Sequence, residues 1–380
     1  MTSKNFETIL VNGASSGDKR TGAISFPIYQ SSTFKHNGLN NSTGYDYSRC
    51  QNPTREEVEK TIAILEGGTD AIGFSTGISA IAACAYLFKS GDHIILSDDL
   101  YGGTYRLFGD IYKNFELTSS FVDTTNPKNI LKFITKNTKA IFIETPSNPM
   151  MKITDIRKLA QIAKDFNLLL IVDNTFLTPY YQKPLLLGAD LVIHSGTKYL
   201  SGHNDLLAGF IVGNNATLLN KLRRIHISTG SVLSPFDSWL ILRGLKTLHI
   251  RMDRSQDNAL KIAEFLNQNS NIENVYYVGL HDSEGYELNK IQASGFGSTL
   301  SFRVKDKAMV EKILNNVKVI RFAESLGGVE SLITYPFTQT HAEIPTDIKE
   351  KLGIDEFLLR LSVGIENISD LINDLQQVLS

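Results

Sequence analysis

The sequence holds only two cysteines, Cys50 and Cys84, among 380 residues. Two thiols build no disulfide framework, so a reducing cytosol is the expected setting. Long apolar runs are also lacking. The hydrophobic stretches are strand-sized or helix-sized, too short to span a bilayer. There is almost no net charge. A formal balance of −2 comes with no basic stripe and no acidic block, which argues against nucleic acid as a partner and against a disordered tail. Neither nucleic acid nor a membrane is therefore expected. The opening residues MTSKNFETILVNGASSG have no apolar stretch, so no signal peptide is expected. Internal repeats and low-complexity linkers are missing. His194, His203 and His341 lack ligand spacings such as H-x-x-x-H, and the cysteines form no C-x-x-C, so no metal is expected.

What is present is globular in composition. Hydrophobic residues make up 42% and charged residues 21%, on a chain long enough for a large core and more than one domain. Residues 1–53 are rich in Ser, Thr, Asn and Gly and read as an arm with little core of its own. NPTREEVEKTIAILEGG then opens a helix, with Thr54 and Glu57 spaced as a capping box and Gly67 and Gly68 as a stop. Up to residue 245, short apolar runs alternate with helical stretches. The runs at 92–98, 140–146, 168–174 and 190–196 are strand candidates, and ITDIRKLAQIAKDF is an amphipathic helix between two of them. Apolar strands alternating with helices imply an α/β fold with a mostly parallel sheet covered on both faces. The segment around Gly244 reads as one long helix or a pair. Residues 246–380 mix helices with short strands such as STLSFRV and LLRLSVGI, a smaller α+β domain.

Polar residues cluster just after each strand candidate, where open α/β sheets hold their ligands. Asp173 ends one run, and Lys198 follows another in SGTKYLSGHND. STGIS, at 75–79, is a turn opening an apolar helix, whose first N–H groups suit a phosphate. Each feature is common alone. Together, an amine, a carboxylate and a phosphate cradle are the three grips that pyridoxal 5′-phosphate (PLP) needs. The lysine bonds the aldehyde, the acid keeps the ring nitrogen protonated, and the helix N-terminus holds the phosphate.

The strings YDYSRCQNPTR, DDLYGGTYRLF, ETPSNP, VDNTF, SGTKYLSGHND, AESLGGVESL and LLRLSVGIE occur in order along the chain. In them the sequence resembles the Cys/Met-metabolism family of PLP enzymes, from about residue 5 to the C-terminus. The resemblance implies a fold type I PLP-dependent transferase, aspartate aminotransferase-like. It divides the chain into an arm (1–53) reaching a neighbouring subunit, a large PLP domain (54–245) and a C-terminal domain (246–380). It implies that Lys198 carries the cofactor and shuttles protons, that Asp173 pairs with the ring nitrogen, and that Tyr101 stacks on the ring. Gly77 and Ile78 would give backbone N–H groups to the phosphate, with hydroxyls from Ser195 and Thr197. Tyr47 and Arg49 would reach the phosphate of the neighbouring subunit. Arg360 would clamp the substrate α-carboxylate, helped by Ser325 and Asn148.

Two positions differ from the commoner family strings: Ile78 where Met is frequent, and Gly196 where Ala is frequent. The first role falls to a backbone N–H. The second is expected to loosen the lysine loop. Within the family, Gly103 counts against a methionine γ-lyase. Glu324, with Asp46 and Arg106 by analogy, would meet the far end of the substrate. The favoured activity is γ-replacement on an O-acylhomoserine by cysteine, giving cystathionine, with sulfide as another nucleophile. Cystathionine γ- or β-lyase is the alternative, and a non-catalytic PLP-binding regulator a remote one. The resemblance also implies small amino-acid substrates and a homotetramer of catalytic dimers.

Overall fold

The computed structural model describes residues 4–380. A seven-stranded sheet organises the first two thirds. Its strands are β1 (Asp70–Phe74), β2 (His93–Ser97), β3 (Thr118–Val122), β4 (Thr138–Glu144), β5 (Leu169–Asp173), β6 (Leu191–Ser195) and β7 (Gly209–Gly213). They lie in the order β1-β7-β6-β5-β4-β2-β3. Strands β3, β2, β4, β5 and β6 are parallel, while β7 is antiparallel to both β6 and β1. The four apolar runs become β2, β4, β5 and β6, because a strand covered on both faces needs apolar side chains in both directions. Separate apolar clusters on the two faces confirm that covering, one around Val58, Ile143 and Leu170, the other around Phe74, Phe142 and Ile171.

The first long helix, here α2 (Pro53–Glu66), follows a short α1 (Phe6–Asn12) whose Leu10 is buried. Its cap is Asn52 and not the expected Thr54. Pro53 takes the first helical position, and the Asn52 side chain accepts from the N–H groups of Thr54 and Arg55. Thr54 and Glu57 serve the arm instead. The Thr54 hydroxyl donates to Pro27 O and accepts from Tyr29 N, and Glu57 accepts from Ser15 N. Gly67 ends the helix in the left-handed conformation, as expected. STGIS opens α3 (Gly77–Ala85), capped by Thr76, whose hydroxyl accepts from Ser79 N. α4 (Gly102–Gly109) follows Tyr101, and α5 (Ile156–Asp165) is the amphipathic helix, capped by Asp155.

The segment around Gly244 is a pair of helices, Pro235–Leu245 and Leu248–Asn267. Gly244 is where this pair meets the lysine loop. A Cβ there would lie 2.3 Å from Ser201 O. Arg251 fastens the junction, donating to Tyr199 O at 2.7 Å and to Gly244 O at 2.9 Å. The C-terminal third carries a second sheet, ordered β10-β11-β12-β9-β8. Its strands are β8 (Ile272–Tyr276), β9 (Thr299–Val304), β10 (Arg321–Phe322), β11 (Leu332–Thr334) and β12 (Leu358–Ser362). It has its own apolar cluster around Phe302, Leu359 and Leu375. No helix among the described residues is long and apolar enough to cross a membrane.

Candidate active site

Glu144, Asp173 and Ser195 are the last residues of β4, β5 and β6. Beyond them opens a cavity of about 400 Å³, closed on one side by the start of α3 and on the other by Glu324–Leu326 and Arg360 of the C-terminal third. Parallel strands end on one edge of the sheet, so residues far apart in sequence meet there. Gly77, Ile78, Tyr101, Asn148, Asp173, Ser195, Thr197, Lys198, Glu324, Ser325 and Arg360 all line this cavity.

Lys198 lies on the loop after β6, and its Nζ donates to Ser325 Oγ at 2.7 Å. Burial and the Arg360 charge push the amine down to about 8, against the pull of Glu324. Ser325 is held at φ 98°, a left-handed conformation that serine rarely adopts, so the lysine's partner sits in a strained turn. Arg360 is 2% exposed. Its Nη1 donates to Asn148 Oδ1 and its Nη2 to Ser325 O, both at 2.9 Å, while its Nε has no partner among the described residues. Burial pushes the guanidinium down to about 10. A buried guanidinium with a donor to spare has the chemistry to pair with a carboxylate.

Asp173 is 7% exposed, and its Oδ1 accepts from Thr175 N and from Thr175 Oγ1. Burial raises its carboxyl above the usual range, against those two hydrogen bonds. It stands in register beside Glu144, whose carboxyl is raised further, by burial and then by the Asp173 charge. No Lys or Arg forms an ion pair with Asp173 among the described residues. At the start of α3, Thr76 satisfies Ser79 N and Ala80 N. The Gly77 and Ile78 N–H groups precede them in the first turn, where no intrahelical acceptor exists, and both residues line the cavity. Gly77 must be glycine, because a Cβ would come 2.8 Å from Ser195 Cβ. Gly209 of β7 approaches the same turn, and a Cβ there would lie 2.1 Å from Thr76 O.

These residues fit PLP. Asp173 lacks the cation that a protonated ring nitrogen supplies, the start of α3 offers amides to a phosphate, and Lys198 offers an amine of lowered pKa within the same cavity.

The sequence profile of Cys/Met metabolism PLP-dependent enzymes matches residues 7–380. The chain belongs to that family. A cystathionine gamma-synthase of Haemophilus influenzae is 50% identical over 372 residues, 98% of this chain and 96% of that one. A cystathionine beta-lyase of Lactococcus lactis subsp. cremoris is 47% identical over 373 residues, 98% of each. The crystal structure of a cystathionine gamma-lyase from Lactobacillus plantarum, complexed with L-serine, aligns with a TM-score of 0.97 at 43% identity, over 99% of this chain and 98% of that chain. PLP is therefore the cofactor of this Cys/Met-metabolism enzyme, and its fold is type I among PLP enzymes. Its relatives carry three activity names at similar identity, so likeness establishes the family and not one reaction.

Four of the expected site residues lie outside the main cavity. Arg106 is close by. It lines an adjoining pocket of about 270 Å³ with Tyr101, Glu324 and Thr340, and pairs with Glu343 at 2.6 Å. Asp46 pairs with His36 at 3.1 Å, and Arg49 donates to Ile227 O and lies over the Tyr47 ring. Within one chain, Asp46, Tyr47 and Arg49 meet none of the cavity residues.

Gly196 corrects an expectation. Its backbone is not left-handed, and a Cβ would meet Phe210 at 2.8 Å and Ala208 at 2.9 Å, so the glycine serves close packing and not freedom of the lysine loop. Gly103 has a similar reason, since a Cβ there would lie 2.5 Å from the Tyr101 ring. His194 is buried against Glu66 at 2.8 Å, and His203 donates to Ser201 O. The sequence reading had Thr76, Glu144 and Thr175 at the site as parts of the STGIS turn and the polar strand ends, though without roles, and it missed Phe176, Leu207 and Thr340 as cavity residues. Glu144 was detectable as the polar end of an apolar run. Thr340 was not, because it arrives on an irregular loop of the C-terminal third.

Proposed function

We propose that the protein catalyses γ-replacement on an O-acylhomoserine, with cysteine as nucleophile and cystathionine as product. The carrying observation is the charged pocket of Arg106, Glu324 and Glu343, which adjoins the Lys198 cavity through Tyr101. Opposite charges beyond the reacting centre suit a second amino-acid head, which cysteine brings. Sulfide, giving homocysteine, would use the same route.

When bound, PLP draws electron density from the substrate α-carbon, which makes its hydrogen removable. Arg360 holds the α-carboxylate through a bidentate contact, and Asn148 orients the guanidinium. Lys198, with its amine near 8, takes the Cα proton at near-neutral pH, passes that proton on within the site, and so regains the free amine that takes a Cβ proton. The Cγ–O bond breaks and the acyl group leaves as a carboxylic acid. The cysteine thiolate then forms the Cγ–S bond, and Lys198 and Tyr101 return protons to the carbon chain. Gly77, Ile78, Ser195 and Thr197 hold the phosphate. The arm, residues 1–53, places Tyr47 and Arg49 at the phosphate of a second copy, with Asp46 near its substrate, and two such dimers make a tetramer.

Cystathionine itself has two amino-acid heads and fits the same pair of pockets, so cleavage by a γ- or β-lyase is the second reading. The deciding experiment gives purified holoenzyme O-acetylhomoserine with and without cysteine, and separately cystathionine, with products read by mass spectrometry. Cystathionine formed only when cysteine is present is the expected result. Cleavage of cystathionine with no replacement product would make the enzyme a lyase.

A further inference from the structure

His341 has no part in the steps above, yet it is among the most tightly held side chains near the cavity. It is 1% exposed. Its loop leaves the C-terminal sheet beside the carboxylate grip, because Thr334, the last residue of β11, pairs with Arg360 of β12. The loop then crosses to the large sheet's side of the cavity. There Nε2 faces two backbone oxygens, Leu100 O at 3.3 Å and Asn148 O at 3.1 Å. Carbonyls only accept, so Nε2 carries the proton and donates to both, and Nδ1 accepts from Thr340 Oγ1 at 2.8 Å. Burial and the Arg360 charge push the ring down to about 4, which keeps it in this neutral form.

The two carbonyls belong to different parts of the site. Leu100 immediately precedes Tyr101, which lines the cavity. Asn148 presents its Oδ1 to Arg360 Nη1. The contact is tight on the Tyr101 side as well, since a Cβ on Gly102 would lie 2.2 Å from Thr340 O. We infer that His341 is a positioning residue, one imidazole that locks the Tyr101 loop and the Asn148–Arg360 pair in a single register across the two halves of the molecule. The inference rests on the reading of Arg360 and Asn148 as the grip on the substrate carboxylate. A loop that lost this donor would free two buried carbonyls at once. Displacements below one ångström at either end would then misalign the carboxylate and the proton-transferring ring together.

The test compares His341→Leu, which removes the donor, with His341→Gln, whose amide nitrogen donates to carbonyls. Each is made in the parent and in an Asn148→Ala background, and each is purified with PLP. The readings are the visible band of bound cofactor, kcat and KM on the substrate the parent uses. The Leu variant should keep its cofactor band, raise KM and lower kcat/KM by about 10-fold or more. The Gln variant should regain most of that loss, and the gap between Gln and Leu should shrink in the Asn148→Ala background. A Leu variant within twofold of the parent overturns the inference, as do equal losses in Leu and Gln. Should the Leu variant fail to fold, His341→Phe, which fills the ring's space without a donor, takes its place under the same readings and the same overturning outcomes. Arg360→Ala with unchanged KM overturns the carboxylate reading, and the inference with it. A raised KM there, beside a silent His341, removes the inference alone.

Discussion

The Lys198 amine faces two groups of opposite effect. Burial and the Arg360 charge lower its pKa to about 8, while Glu324 pulls it back up. A base must be unprotonated to act, and Lys198 is a free amine only in the substrate complex, so kcat, which reports that complex, should rise with pH through the pKa of this amine. Glu324→Gln removes the neighbouring negative charge that stabilises the charged form. The rising limb of the pH profile should therefore move to lower pH in that variant, with cofactor content unchanged. Steady-state kinetics between about pH 6 and 9 measure it. A limb that stays in place, or moves upward, would separate Glu324 from Lys198. Two residues proposed to carry this chemistry were legible from their place at apolar runs: Asp173 closes β5, and Lys198 follows β6 within three residues. Thr340 and His341 left no such mark. They lie on a loop whose sequence, TQTHAEIP, has neither period nor turn signature, and only tertiary structure brings it to the site.

At the scale of elements, the proposed phosphate end of the site depends on how closely β7 approaches the turn before α3. Gly209 opens β7, and the backbone of Thr76 occupies the space that a side chain would need. The obstacle is backbone, which cannot rotate aside as a side chain can. Gly209→Ala should therefore push the start of α3 away from Ser195 and weaken PLP binding by about 10-fold or more, since a displacement near one ångström disrupts oriented contacts. Titration of the apoenzyme with PLP, followed by absorbance or fluorescence, gives the number. Unchanged affinity would place the phosphate elsewhere. The same strand shows why some elements were invisible in the sequence. β7 reads GFIVG and β1 reads DAIGF, so glycine interrupts the apolar signal in both. β3 reads TSSFV, an edge strand whose polar residues hide it. Gly209, one of the two glycines that obscure β7, is there because the Thr76 backbone comes too close for a side chain, which is also why the strand helps to build the site.

For the molecule as a whole, burial of ionisable groups makes stability a balance between opposing pH effects. Asp99, fully buried, is pushed up to about 6, so the folded state holds its proton more tightly than the unfolded chain does. That group gains stability as pH falls toward its unfolded value near 4. His226 acts in the opposite sense. It lies 1% exposed on the helix Ala216–Thr229, its Nε2 donating to Gly73 O at 2.9 Å and its ring edge against Phe74 of β1. Burial and the charges of Arg55 and Arg223 push it down to about 4. Its folded pKa is below the unfolded value near 6.5, so the unfolded chain binds the extra proton first. Its contribution is therefore complete above about pH 6.5 and is lost as pH falls toward about 4. A drop of that size corresponds to roughly 3 kcal/mol at most. Because Asp99 offsets it, the parent's own pH profile will not isolate the term, but a difference against His226→Gln will. The Gln side chain keeps a donor for Gly73 O and cannot take up a proton. Denaturant unfolding of both proteins at pH 7 and at pH 5 should show the parent losing stability relative to the variant by about 1–2 kcal/mol over that interval. A constant difference would mean that His226 titrates alike in the folded and unfolded chains, and that its burial beneath β1 is looser than the packing against Phe74 requires.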